Sequence, residues 1–301
     1  MTTSNSATAT ASPTGTATTL PTVRTQPFPE LVCAEIWGGN RPINAPIELP
    51  GMRGKIFSRP CDGGRGGDVH YLSICSSGLL SRLCLADVAG HGESVALVSG
   101  ELHRLLRRYM NTLDERRVLA DLNRSVMDSE YRTLTTAVAV SYFPPTSTLY
   151  VSYAGHPPGW LYRAREARWQ RVEPPVSAHA GRRLMDMPLG VDVRTVFSRR
   201  KLHVQPGDRF VAVTDGVLEA PSATHELYGD ARLEKLLAQH HSSSPADLVD
   251  AVVAALVAHT GDAGLSHDDV TLLAVEFSAG PRGFGVWEGL KNRVLGPRPR
   301  R

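Results

Sequence analysis

Residues 79–109 read LLSRLCLADVAGHGESVALVSGELHRLLRRY, and the fold turns on how that stretch divides. An apolar run, Leu83–Ala86, meets a carboxylate at Asp87. The tight turn Val88-Ala89-Gly90-His91-Gly92 follows, and then a long amphipathic segment. From Glu93 to Met110 the apolar residues Val95, Leu97, Val98, Leu102, Leu105, Leu106 and Tyr109 recur at helical spacing, which predicts a helix packed by one face. Strand, carboxylate, glycine turn, helix is a layout that suits a hard divalent cation, since Mg²⁺ and Mn²⁺ take oxygen ligands and keep several waters. A lone Asp before a turn is equally ordinary turn chemistry.

Working outward, the flanks read as strands and helices in separate groups. Leu31–Trp37, Gly54–Ser58, Val69–Cys75, Leu80–Ala86, Leu134–Tyr142, Thr148–Ala154, Trp160–Arg163, Trp169–Val172, Val193–Val204, Arg209–Val213 and Val270–Phe277 are predicted strands. Leu113–Glu130, Asp230–His240 and Ala246–His259 are predicted helices, the last with Ser244 and Pro245 as cap and first-turn residues. Residues 1–25, rich in Ser, Thr, Ala and Pro, cannot bury enough apolar surface to offset the entropy of ordering and are expected to form a disordered tail. Residues 278–301 form a basic tail, with a short amphipathic possibility at Val286–Leu295.

The chain has 301 residues, 42% of them hydrophobic and 21% charged, which is the balance of a globular protein with a sizeable core. A net charge of only +3 argues against nucleic acid as a partner and against stable membrane association. No apolar run approaches the roughly 20 residues of a membrane helix, and no basic-then-apolar leader opens the chain, so a cytoplasmic protein is expected. Cys33, Cys61, Cys75 and Cys84 form no CxxC pair and read as reduced thiols.

Three further aspartates share the setting of Asp87. Asp68 follows the glycine-rich loop Arg59–Gly67, Asp215 ends the run Arg209–Val213, and Asp268 precedes the last strand, with Asp269 beside it. Singly, each is explained as a turn or cap residue. Gathered at one place they would repel one another, and only cations would make the gathering favourable. Two such ions acidify a water and neutralise the charge of an in-line displacement at phosphorus.

The phrases Gly66-Gly67-Asp68, Asp87-Val88-Ala89-Gly90-His91-Gly92, Ala154-Gly155-His156-Pro157-Pro158, Thr214-Asp215-Gly216-Val217-Leu218-Glu219-Ala220 and Asp268-Asp269-Val270-Thr271 occur in that order. Together they resemble the metal-dependent serine/threonine phosphatases of the PPM (protein phosphatase 2C) family, in the bacterial branch that regulates sporulation and sigma factors. The resemblance covers residues 31–277. It implies an α+β fold, an α-β-β-α sandwich of two antiparallel sheets flanked by helix pairs, with two Mn²⁺ or Mg²⁺ ions at one end.

Carried over residue by residue, the resemblance makes Asp87 the bridge between the ions and the Val88 carbonyl a ligand of the first. Asp215 and either Asp268 or Asp269 hold the second, and Asp68 acts through water. The metal-bridging hydroxide attacks phosphoserine or phosphothreonine directly, with Asp87, Asp215 and Asp268 as the catalytic set. His91 is either the general acid or a residue that braces its turn. Arg65 either holds substrate phosphate or is a solvated loop arginine, and His156 is expected to be a structural turn histidine. The family pattern continues after Asp68 with an aromatic pair and another Asp, where this chain has Val69, His70 and Tyr71. The expected activity is protein serine/threonine phosphatase in signal transduction, acting on a regulatory phosphoprotein such as an anti-sigma-factor antagonist. The alternatives are a catalytically silent phosphatase-like binding module and a hydrolase of small phosphate esters.

Overall fold

A computed structural model of the chain describes residues 34–74, 80–90, 92–109, 112–129, 133–175 and 184–278. The expected tails, apart from Ser278, lie outside the described residues, as do Cys33, Cys75 and His91. Among the described residues no helix is long and apolar enough to cross a membrane.

Two six-stranded sheets face each other, and every strand pair is antiparallel. The first runs β1 (Ala34–Gly39), β4 (Val69–Ile74), β5 (Ser81–Val88), β6 (Thr135–Phe143), β7 (Thr148–Ala154) and β10 (Arg200–His203). The second runs β2 (Ile43–Leu49), β3 (Met52–Arg59), β12 (Val270–Phe277), β11 (Arg209–Val213), β8 (Gly159–Arg163) and β9 (Arg168–Val172).

Side-chain alternation builds three apolar layers from these strands. Leu72, Leu83, Leu85, Val138 and Val140 point inward to meet Ile56, Phe210, Ala212, Leu273 and Val275 of the other sheet. The residues between them point outward. Tyr71, Cys84, Ala86, Ala137 and Ala139 pack beneath Leu102 and Leu106 of α1 (Glu93–Tyr109) and Val118, Leu119 and Leu122 of α2 (Glu115–Asp128). On the far side, Val211, Val213, Leu272 and Ala274 pack beneath Leu233 and Leu237 of α4 (Gly229–Gln239) and Leu248, Val252 and Leu256 of α5 (Pro245–Thr260). Because the central strands are covered on both faces, they read as unbroken apolar runs. Each fully buried Leu or Val contributes about 1.5–3 kcal/mol. The architecture is the expected α-β-β-α sandwich.

Helix ends follow local chemistry. The Asp114 carboxylate accepts from the Arg116 N–H at 3.0 Å and caps α2. Ser244 Oγ accepts from Asp247 N–H at 3.1 Å, Pro245 opens α5, and Gly261 closes it at φ 69°.

The structure departs from the sequence reading at three strands. The expected strand Leu31–Trp37 continues to Gly39 as β1 (Ala34–Gly39), and residues 31–33 lie outside the described residues. Residues 43–49, unassigned from sequence, form β2, an edge strand that can accept Pro46 because one side of it has no partner. Of Val193–Val204 only Arg200–His203 is strand. Ahead of it the Asp192 carboxylate takes the Arg194 N–H at 2.7 Å, and Asp186 takes the N–H and hydroxyl of Ser198 at 2.6 Å each. These side-chain bonds to the backbone hold the segment in a loop.

Candidate active site

The inward face of each sheet ends in polar residues at one edge of the sandwich. In β5 the inward positions Leu83 and Leu85 are followed by Asp87, paired across to Thr136 of β6. In the second sheet β11 ends at Val213, and Thr214 caps the short helix α3 (Asp215–Leu218). The sheets join here through Thr214 Oγ1, which donates to Asp68 Oδ2 at 2.8 Å.

The carboxylates meet as a mutually repelling group. Asp68 is 3% exposed, and burial followed by the charge of Asp87 pushes its pKa well above the ordinary value. The neighbouring hydroxyls of Thr271 and Thr214 pull the other way; its Oδ1 is buried with no hydrogen bond of normal geometry among the described residues, and the Thr271 hydroxyl donates to Ser58 Oγ at 2.8 Å. Asp87 is pushed to about 7, by burial first and then by Asp215, Asp268, Asp269 and Glu219. Asp215 is raised by burial and by Asp269, against the pull of the Gly216 N–H and its own. Asp268 is raised by burial and by Asp215 and Asp269, against its bond from the Asp269 N–H. Asp68, Asp87, Asp215 and Asp268, far apart in sequence, therefore bear on one another in space.

Asp269 has a different task. Its Oδ1 accepts from the Cys61 N–H at 2.8 Å, and its Oδ2 accepts from the N–H groups of Gly67 and, at 3.3 Å, of Asp68. It fastens the glycine-rich loop to the start of β12. The glycines are dictated by closeness. A Cβ at Gly67 would stand 2.6 Å from the Val88 carbonyl oxygen, and one at Gly216 would collide with the Asp269 carbonyl. His267 Nε2 donates to the Gly216 carbonyl at 2.8 Å, tying α3 to the loop that carries Asp268. Thr214 and Glu219 lay inside the sequence motifs and His267 just ahead of the last one, but nothing local announced their contacts.

The donor set suits a hard cation: a buried carboxylate oxygen without a partner, a backbone carbonyl kept clear by Gly67, and carboxylates held above their normal pKa. Among the described residues no three His, Cys, Asp or Glu side chains form a closed ligand cluster. Mg²⁺-type sites are built on one or two carboxylates with carbonyl and water, so such a cluster is not required.

The remaining candidates lie elsewhere. Arg65 is exposed, has no hydrogen bond or ion pair among the described residues, and lines a separate cavity beside the turn from β1 to β2. His156 is buried, with Nδ1 bonded to the Pro157 carbonyl at 3.0 Å, and burial lowers its pKa to about 4. Cys61 and Cys84 are free, and burial pushes their thiols up to about 11 and about 12.

Two facing antiparallel sheets with a helix pair on each outer face define the class, the PPM-type (protein phosphatase 2C) fold. Residues 80–278 match the model of the Stage II sporulation protein E (SpoIIE) family, and the chain belongs to that family. It is 28% identical over 201 residues to the phosphoserine phosphatase RsbP of Bacillus subtilis, a match covering 64% of this chain and 45% of RsbP. The chain spans less than half the length of the curated relatives it matches. Among solved structures it is similar to the RsbU and RsbW domains of Rv1364c from Mycobacterium tuberculosis, with TM-score 0.63 and 24% identity over 84% of this chain and 70% of that one. It also shares its fold with the catalytic domain of the serine/threonine protein phosphatase PstP in complex with two manganese ions, with TM-score 0.50 and 16% identity over 75% and 97% of the two chains.

Proposed function

We propose that the chain is a metal-dependent protein serine/threonine phosphatase. The observation that carries this reading is the meeting of Asp68, Asp87, Asp215 and Asp268 at one edge of the sandwich, each with a raised pKa. Bringing buried carboxylates together is costly, and a site that keeps them so is built for positive charge. Asp87, the Val88 carbonyl, Asp215 and Asp268 would hold two Mn²⁺ or Mg²⁺ ions, with Asp68 behind the first through water. Such ions supply water activation and charge neutralisation at phosphorus.

The chain's own residues then position and support. Asp269 pins the Gly66–Asp68 loop by its backbone, which favours Asp268 as the ligand of the pair. The Thr214 hydroxyl fixes one oxygen of Asp68 and leaves the other free to receive a water. His91, the candidate proton donor to the leaving serine oxygen, lies outside the described residues. Kinship with a phosphoserine phosphatase, RsbP, supports a phosphoserine-bearing substrate; a regulatory phosphoprotein such as an anti-sigma-factor antagonist is the finer reading that the family resemblance suggests.

The test is turnover of a phosphoserine peptide and of a generic aryl phosphate, with and without Mn²⁺. Manganese-dependent release of phosphate from the peptide, reduced by about a hundredfold or more in Asp87→Asn, is expected. No turnover of the peptide with Mn²⁺ would overturn the reading. Turnover of the aryl phosphate alone would make the protein a small-ester hydrolase.

A further inference from the structure

A cavity of about 400 Å³ lies outside the carboxylate cluster, between the turn from β1 to β2, the start of β4 and the middle of α1. Among the described residues its charged and titratable lining is Arg41, Arg65, His70 and His103, with no acidic side chain. Arg41 and Arg65 are exposed and have no ion pair or hydrogen bond among the described residues. The nearby acid, Glu35, is turned to other partners, His103 Nε2 and Arg107 Nε, each at 2.8 Å.

His70 is 3% exposed, and its Nδ1 has no hydrogen-bond partner among the described residues. His70 stands where the family pattern has an aromatic residue. Open space completes the picture, because a Cβ built at Gly39 or Gly100 meets nothing within 4 Å.

We propose that this cavity binds a phosphate-type oxyanion, held by the Arg41 and Arg65 guanidiniums with a hydrogen bond from His70. Two guanidiniums without ion pairs among the described residues line the same cavity as the His70 imidazole, and such donors match the many acceptor sites of a phosphate; Arg favours oxyanions by its planar fork. The same chemistry is offered by free orthophosphate and by a phosphorylated side chain of a protein ligand. The site also touches the catalytic loop. Asn40, which helps line the cavity, donates from Nδ2 to the carbonyls of Gly66 at 3.1 Å and Ala96 at 3.0 Å, and its own carbonyl accepts the Gly66 N–H at 2.9 Å.

The test uses the full chain freed of metal by a chelator, so that the outcome does not depend on the carboxylate site or on turnover. Inorganic phosphate is titrated at constant ionic strength against chloride, following the amide signals of Gly38, Gly39 and Gly100 and the His70 ring by NMR. Saturable shifts are expected. Arg41→Gln with Arg65→Gln should weaken binding about tenfold or more, as expected for lost charge-assisted bonds. Gly100→Leu leaves both arginines in place, improves helix propensity and fills the open space, so it should weaken binding as well. A phosphoserine peptide that binds more tightly than phosphate would assign the site to a protein ligand, and equal affinity would assign it to the free ion. Both results uphold the oxyanion site. Shifts no larger than those of chloride, or binding indifferent to both kinds of variant, would overturn it.

Discussion

Asp268 and Asp269 are adjacent just ahead of β12, yet their tasks differ: the Asp269 oxygens collect three backbone N–H groups, while Asp268 feels the charge of Asp215. Asp268→Ala is expected to abolish metal uptake with little loss of stability, because it removes one of several repelling charges. Asp269→Ala strands the Cys61, Gly67 and Asp68 amides and should lower unfolding free energy by about 2–4 kcal/mol, read by urea denaturation. Equal effects on stability would contradict the division of roles. Asp87, at about 7 in the metal-free protein, must lose its proton to become a ligand. Metal affinity should therefore rise with pH, falling about tenfold for each unit below 7. Calorimetric titration with Mg²⁺ at pH 6 and pH 8 checks this, and a flat profile would refute it.

At the scale of elements, the glycine-rich loop, the turn after β5 and the start of α3 act as one mount. Gly67→Ala places a methyl group 2.6 Å from the Val88 oxygen, so the carbonyl must shift away from the position a metal would need. Phosphatase turnover is expected to fall by at least about tenfold, since small misplacements in a site are costly. Ser244→Ala, at the far end of the second sheet's helices, removes only the α5 cap and should cost about 1 kcal/mol of stability with turnover unchanged. Comparing the two by thermal melts and initial rates separates site geometry from general stability. The elements themselves were largely readable. Thr148–Ala154, Arg209–Val213 and Val270–Phe277 match their predicted limits because apolar runs bounded by turn residues leave little choice. The stretch before β10 misled because Val193 and Val196 look like strand residues, whereas Asp186 and Asp192 capture the backbone there.

For the whole molecule, the acidic cluster sets a balance between fold and function. The folded-state pKa values of Asp68, Asp87, Asp215 and Asp268 all lie above the unfolded one. Their contribution to stability is thus present below about pH 4 and lost as pH rises through about 7, where Asp87 titrates. The metal-free protein should weaken between pH 5 and pH 8, and Mn²⁺ should reverse the loss. At a hundredfold excess over its Kd, the ion adds about 2.7 kcal/mol. Thermal melts with chelator and with Mn²⁺ across that range provide the check, and a metal-free melting temperature that climbs through it would count against a cluster of repelling acids.

Local sequence determined most of the strands, the long helices, the capped ends and the five phrases in order, because periodicity and turn chemistry act over a few residues. Tertiary structure alone decided that Asp68 and Thr214 touch across the two sheets, that Asp269 serves the backbone while Asp268 faces the cluster, and that Arg65 opens into a second cavity. Those outcomes depend on which sheet edges coincide when the sandwich closes over Leu85, Phe210 and Leu273, a condition that no short stretch of chain contains.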